Sequence, residues 1–181
     1  MAISETCSRG SAAPLSARYT FRQPSADDGE AIWRLIASCP PLDENSLYCN
    51  VLQCSHFSGT CVVAERDGKP QGWLSAYIPP EEPNTIFVWQ IAVHENARGE
   101  GLGRQLIAHL LARPRIRHMN YLKATVTPQN KASWALFRSV AKERNARITS
   151  EEWLQRDRHF GGRHESEFLI SIGPFGAALA H

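Results

Sequence analysis

Ile91-Ala92-Val93-His94-Glu95-Asn96-Ala97-Arg98-Gly99-Glu100-Gly101-Leu102-Gly103-Arg104 is the stretch on which the fold turns. A β-branched, apolar run from Ile86 to Val93 stops, a few small or polar residues follow, and then three glycines alternate from Gly99 to Gly103. Beyond them Leu102, Leu106, Ile107, Leu110 and Leu111 recur at helical spacing. The order is therefore strand, glycine turn, helix. Such a turn offers unpaired backbone N–H groups and the positive end of the helix dipole to an anion. The glycines allow a bulky group close to the main chain, and Arg98 and Arg104 add positive charge. These residues predict a site for a phosphorylated ligand.

The kind of phosphate site follows by elimination. A P-loop ends in Gly-Lys-Ser/Thr, but Gly103 is followed by Arg104-Gln105. A dinucleotide turn needs a third glycine three residues after the second and an acid about twenty residues on; Arg104 and Lys123 stand there. What remains is Arg98-x-x-Gly101-x-Gly103, which resembles the pyrophosphate loop of the GNAT acetyltransferases, enzymes that bind acetyl-coenzyme A. The competing reading is a plain glycine turn feeding a core helix. The downstream chain favours the first. Tyr121 to Val126 alternates as a strand, and Pro128-Gln129-Asn130 opens a helix carrying Ala132, Ala135, Leu136, Ser139 and Val140. That order is similar to the family's second half, with its Asn, Ala, Leu and aromatic at Asn130, Ala132 or Ala135, Leu136 and Phe137.

Within that superfamily, Leu42 to Tyr48, Cys61 to Ala64, Tyr77 to Glu81, Phe87 to Val93 and Thr125 to Pro128 resemble the L-2,4-diaminobutyrate acetyltransferases of ectoine biosynthesis. The resemblance spans roughly residues 18 to 174. It implies a GNAT-like central mixed, mostly antiparallel sheet flanked by helices in a single α/β domain. It also implies acetyl-CoA as co-substrate, acetylation of the 4-amino group of L-2,4-diaminobutyrate, and a homodimer.

Composition agrees with one soluble domain. The chain has 181 residues, 43% of them hydrophobic, and a formal charge of +2. That charge is too small and too dispersed to indicate nucleic acid, and no apolar run approaches the ~18 residues of a membrane span. Residues 1–16, rich in Ser and Ala, read as a disordered tail, 17–175 as the domain, and 176–181 as a second tail. Five cysteines, odd in number and without paired CxxC spacing, suit a reducing cytoplasm. No metal is expected, because His56, His94, His159 and His164 lack a ligand spacing. Cys49 and Cys54 read as buried small hydrophobes rather than as a nucleophile.

Along the chain, Arg18 to Gln23 reads as the first strand. A helix capped by Ser25 buries Ile32, Leu35 and Ile36 and stops at Pro40-Pro41. Asn45 or Ser46 caps a second helix to about Cys54. Thr60 to Arg66 and Gln71 to Ile78 form a hairpin through Asp67-Gly68, and Thr85 to Val93 is the central strand. Helix, strand and helix follow to about Asn145. Ile148 to Leu154 is a strand, Arg156 to Gly162 a polar loop, and Glu165 to Ile172 the last strand. Several hairpins around one strand–helix–strand unit imply a mixed sheet with a ligand crevice where strands splay.

Acetyl transfer to an amine needs a positioned thioester, a deprotonated amine, a stabilised oxyanion and a proton for the leaving sulfur. The resemblance assigns the pantetheine arm to the main chain near Ile91 and Val93. It assigns the rest of the cofactor to Arg98, Gly99, Gly101, Gly103, Arg104, Asn130 and Phe137. Many family members carry a tyrosine acid at the position of Phe137, which phenylalanine cannot replace; Tyr48 is the candidate substitute, its alternative being a half-buried core tyrosine. A cationic diamine calls for acids, and Asp43, Asn45 and Glu167 are the expected contacts. Trp89 either stacks on an ammonium or is a core aromatic. His164 with Glu165 is the candidate base, against a purely structural pair. Two other functions compete: acetylation of another small amine or a protein N-terminus, and a non-catalytic acyl-CoA-binding module.

Overall fold

The computed structural model describes residues 18–175; both expected tails, 1–16 and 176–181, lie outside them. Seven strands form one sheet in the order β1-β2-β3-β4-β5-β7-β6. They are β1 (Thr20–Arg22), β2 (Val62–Arg66), β3 (Lys69–Tyr77), β4 (Thr85–Val93), β5 (Tyr121–Val126), β6 (Ile148–Leu154) and β7 (Glu167–Ile172). Only β4 and β5 run parallel; every other neighbouring pair is antiparallel. A parallel neighbour needs a crossover, and here it is α3 (Leu102–Leu111), entered through the glycine turn. The remaining helices are α1 (Gly29–Ala37), α2 (Leu47–Ser55), α4 (Lys131–Glu143) and α5 (Arg156–Phe160).

Strand alternation divides the sheet's side chains between two layers. Val62, Ala64, Leu74, Ile86, Val88, Leu122, Ala124 and Ile170 are buried with the α3 residues Leu102, Leu106, Ile107, Leu110 and Leu111 and with Phe137, Val140 and Ala141 of α4. Val63, Trp73 and Ala92 point the other way, into Ile32, Leu35 and Ile36 of α1 and Cys54 of α2. The expected buried faces of α1 and α3 are thus the observed ones. The α3 layer touches the sheet closely at Gly72, where an added Cβ would stand 3.0 Å from Leu102 Cδ2 and 3.1 Å from Leu106 Cδ1. At the β2–β3 hairpin Asp67 and Gly68 both have positive φ, 53° and 70°, the conformation a two-residue turn needs to match strand twist.

Four expectations need correction. The first helix opens with a 3-10 turn, Ala26–Asp28, because Ser25 and Asp28 close a capping box there. Residues 156–160 form the short helix α5 rather than a loop: His159 Nδ1 accepts from Gln155 N at 2.8 Å and left-handed Gly161 ends the turn. The last strand starts at Glu167, two residues late. On α4, Ala132 and Ala135 of the helical stripe are exposed, whereas Val140 is buried, with Phe137 and Ala141 completing the buried face.

Arg22 ties β1 to its surroundings, donating to Asp28 at 2.6 and 2.8 Å and also to Glu65 on β2. The Arg22 guanidinium holds the Asp28 carboxyl below the usual range. A carboxyl depressed in the folded state contributes stability above its unfolded pKa and loses it as pH falls through its folded value. Arg22→Met is therefore expected to cost about 1–2 kcal/mol at neutral pH, with the gap to wild type closing in acid, as urea unfolding at several pH values will show. Gly72→Val should cost about 1–3 kcal/mol by prying α3 from β3, read as a lower unfolding midpoint.

Candidate active site

The pairing of β4 with β5 runs from Thr85–Tyr121 to Val88–Ala124 and then ends. Past that point the two strands diverge, and a crevice of about 580 Å³ opens between them. The β3–β4 register shifts at the same level: Ser75 pairs Gln90 and Ala76 pairs Val88, so Trp89 has no partner residue on β3. A bulge of this kind re-aims backbone and side chain together. It turns β4 main chain toward a gap in which β5 no longer takes its hydrogen bonds.

Many of the expected site residues meet here. Asp43, Asn45, Trp89, Ile91, Asn130, Phe137, His164 and Glu167 all line the crevice. They come from five separate parts of the chain: the α1–α2 loop, β4, α4, the α5–β7 turn and β7. Trp89 is 47% exposed, with its ring 6.4 Å from that of Tyr77 in an edge-on arrangement, which disposes of the core-aromatic reading. Phe137 is buried and apolar at the crevice wall.

The acid end is organised around His164. Its Nδ1 lies 2.7 Å from the Glu165 carbonyl oxygen, which can only accept, so Nδ1 carries the proton. Nε2 then faces two carboxylates, Asp43 Oδ2 and Glu167 Oε1, each at 3.8 Å. Asp43 stands at the open mouth, whereas the Glu167 side chain is 16% exposed and its Oε2 has no hydrogen-bond partner among the described residues. Burial pushes the Glu167 carboxyl up; the neighbouring His164 pulls it partly back and Asp43 adds to the rise. A desolvated carboxyl with a raised pKa, next to a histidine in a cleft, is suited to take a proton from an ammonium.

Other expected residues are elsewhere. Tyr48 is 72% exposed on α2 and is not a core residue; it stands outside the crevice lining. Glu165 is also outside; it precedes β7, in the turn where strand alternation does not yet apply, and pairs with Arg156 at 3.3 Å. His164 therefore has the carboxylates of Glu167 and Asp43 before its Nε2, with the Glu165 side chain turned to Arg156. The Val93 carbonyl accepts from Arg98 Nε at 3.2 Å and from the Cys39 thiol at 3.3 Å; of the two β4 residues expected along the pantetheine arm, Ile91 lines the crevice and Val93 does not. Gln90, Thr125, Lys131 and Ser133 line the crevice without having been singled out. For Gln90 the signal was present: a large amide in the middle of an apolar strand.

The glycine turn adjoins the crevice at the Ile91 end. Gly99 and Gly101 have φ of 76° and 81°, and Gly101 caps α3. An added Cβ on Gly103 would lie 3.4 Å from Leu136 Cδ2 and 3.9 Å from Ile91 Cγ2. The first N–H groups of α3 are left without intrahelical partners, as at any helix start. Arg98 is exposed, and Arg104 reaches Glu143 on α4 at 3.8 Å, a solvent-screened pair that an anion can compete for. This arrangement fits a diphosphate. Asn130 caps α4, its Oδ1 accepting from Ser133 N at 3.0 Å, and it faces the crevice as well. Cys54 and Cys61, buried and pushed up to about 12, offer no thiolate.

Comparison with known proteins bears on this geometry. The model of the acetyltransferase (GNAT) family matches residues 29–141. The L-2,4-diaminobutyric acid acetyltransferase of Methylotuvimicrobium alcaliphilum is 48% identical over 161 residues, covering 89% of this chain and 94% of that protein. The enzyme of the same name from Halomonas elongata is 44% identical over 156 residues, covering 86% and 81%. Among solved structures, the diaminobutyrate acetyltransferase EctA from Paenibacillus lautus, in complex with its substrate L-2,4-diaminobutyric acid and coenzyme A, superposes with a TM-score of 0.84. It is 34% identical, with 90% of this chain and 98% of that one covered. The ribosomal-protein-S18-alanine N-acetyltransferase from Escherichia coli, 17% identical at a TM-score of 0.63, shares the fold. The chain thus belongs to the GNAT acetyltransferases and, within them, to the L-2,4-diaminobutyric acid acetyltransferases.

Proposed function

We infer that this protein transfers the acetyl group of acetyl-CoA to the 4-amino group of L-2,4-diaminobutyrate, releasing N4-acetyl-L-2,4-diaminobutyrate and CoA for ectoine biosynthesis. One observation carries the reading beyond family membership: the crevice is acidic at one end, through Asp43 and Glu167 about His164, and adjoins the glycine turn at the other. A cation and a diphosphate carrier are accommodated at separate ends, with bulged β4 backbone between them.

The residue roles follow from depth. Asp43 at the mouth anchors the α-ammonium, and Trp89 and Asn45 border the chain of the substrate. Glu167, deeper and desolvated, takes a proton from the 4-ammonium while His164 orients it. The freed nitrogen attacks the thioester carbonyl carbon, and main-chain N–H of β4 near Ile91 supports the oxyanion. As the C–S bond breaks, the sulfur takes a proton from the nitrogen of the tetrahedral adduct, since Phe137 offers none. Gly99, Gly101, Gly103, Arg98 and Arg104 hold the diphosphate. Holding one end of the diamine and reacting at the other turns binding into orientation.

A homodimer of a cytoplasmic enzyme completes the reading. The exposed ring of Trp153, 6.4 Å from that of Phe87, gives an aromatic surface suited to a partner. No helix among the described residues is long and apolar enough to cross a membrane. Light scattering at micromolar concentration should return twice the chain mass.

Purified protein with acetyl-CoA and diaminobutyrate, followed by thiol release and product NMR, tests the activity; acetyl on the α-nitrogen would refute the regiochemistry. Asp43→Asn should raise the KM for diaminobutyrate about tenfold and leave that for acetyl-CoA near wild type. A base with a raised pKa must be deprotonated to act, so kcat/KM should fall on the acid side at a pH above the usual carboxylate range. Glu167→Gln should remove that limb together with about 10²–10⁴-fold of kcat.

A further inference from the structure

We propose that Gln90 is a positioning residue that sets the length of diamine the enzyme accepts, by tying the loop that carries Asp43 to the strand that faces the acetyl group. The proposal rests on the reading that Asp43 anchors the α-ammonium.

Gln90 is an anomaly of its strand. In Thr85-Ile86-Phe87-Val88-Trp89-Gln90-Ile91-Ala92-Val93 it is the one amide, and it is only 8% exposed. A buried amide without a partner is costly. This one spans out of the sheet: its Nε2 donates to the backbone carbonyl of Asp43 at 2.7 Å, across 47 residues of sequence. The same carbonyl accepts a longer bond, 3.4 Å, from Asn45 Nδ2, and Asn45 itself is held at φ 56°. From the opposite side Asn50 of α2, 0% exposed, donates to the carbonyls of Glu44 at 3.1 Å and Ser46 at 3.0 Å. Leu42 packs on the α1–α2 layer. The loop is thus fastened at Leu42, Asp43, Glu44 and Ser46 while the Asp43 carboxylate, 3.8 Å from His164 Nε2, stays exposed at the crevice mouth.

Of the hydrogen bonds on residues 43–46, Gln90's is the one that comes from β4; Cys39, earlier in the loop, also donates to β4, at the Val93 carbonyl. Gln90 sits beside the bulge at Trp89 and next to Ile91, where the proposed function aligns the thioester carbonyl. Its amide bond therefore links Asp43 itself, the anchor for the unreacting ammonium, to the strand that holds the reacting carbonyl. The gap between them is a fixed length, which selects one number of methylenes between the two amines. Loosening the link frees the anchor to move along the crevice without touching the glycine turn.

The test compares kcat/KM for 2,4-diaminobutyrate, ornithine and 2,3-diaminopropionate in wild type, Gln90→Met, Gln90→Asn and Asp43→Asn, with acetyl-CoA KM and melting temperature for each. Methionine keeps the side chain's length without the donor; asparagine keeps a buried amide that cannot reach. The expected result is a wild-type preference for diaminobutyrate that falls tenfold or more in both Gln90 variants, through KM for the diamine, with acetyl-CoA KM unchanged. Asparagine carries the comparison if methionine fails to fold. A preference unchanged in the folded variants overturns the proposal. So does an equal loss on all three diamines, which marks a general structural role. If Asp43→Asn leaves diaminobutyrate KM unchanged, the anchor reading itself fails, and the proposal falls with it, irrespective of the Gln90 result.

Discussion

Two neighbouring strands part company in the middle of the sheet, and the rest of the site is arranged around that fact. β4 and β5 share four paired residues and then diverge. Backbone groups that stop pairing must find other partners or face solvent, so the divergence leaves polar main chain along the cleft. The bulge at Trp89 amplifies it by turning β4 toward the opening. The α3 crossover, required by the parallel pair, brings its N-terminus to the same level. N–H donors at the start of α3 and unpaired main chain on β4 thereby arise from one topological decision.

The acid end depends on that geometry in a different way. Asp43, His164 and Glu167 come from two connections and one strand far apart in sequence. They meet because β7 pairs with β5, antiparallel, and delivers its first residue beside the opening. Glu167 is set apart by its depth and Asp43 by its accessibility. In the proposed mechanism that difference divides the labour, the exposed acid recognising the substrate and the desolvated one taking its proton.

Much of this was legible in the residues. The bounds of β4, β5 and β6 follow the alternating runs, and the buried faces of α1 and α3 follow their periodicity, because local pattern and tertiary burial agree there. The glycine turn declared itself through spacing alone. What sequence did not reveal was where the last strand begins: Glu165 and Glu167, two apart, would share a face if the strand covered both, and the start of β7 at Glu167 is what separates them. Nor did it reveal that Tyr48 lies on the outer side of α2, since a nine-residue helix with apolar and polar residues intermixed gives weak phase information. The α4 face was misjudged for a related reason. Ala132 and Ala135 fit a buried stripe by size, but they border open space rather than core.

The three glycines of the turn are not equally bound to glycine. Gly99 and Gly101 answer to backbone handedness, at φ of 76° and 81°, whereas an added Cβ on Gly103 would make only ordinary contacts with Leu136 and Ile91. The first two serve the path of the chain and would persist with no ligand at all. In the course of descent, a copy of this chain that had lost its phosphate-binding role would still be selected to keep Gly99 and Gly101 for the turn, while Arg98 drifted. Part of the family's signature is thus a fossil of chain geometry, and its arginine is the more sensitive witness to whether a lineage still handles the ligand.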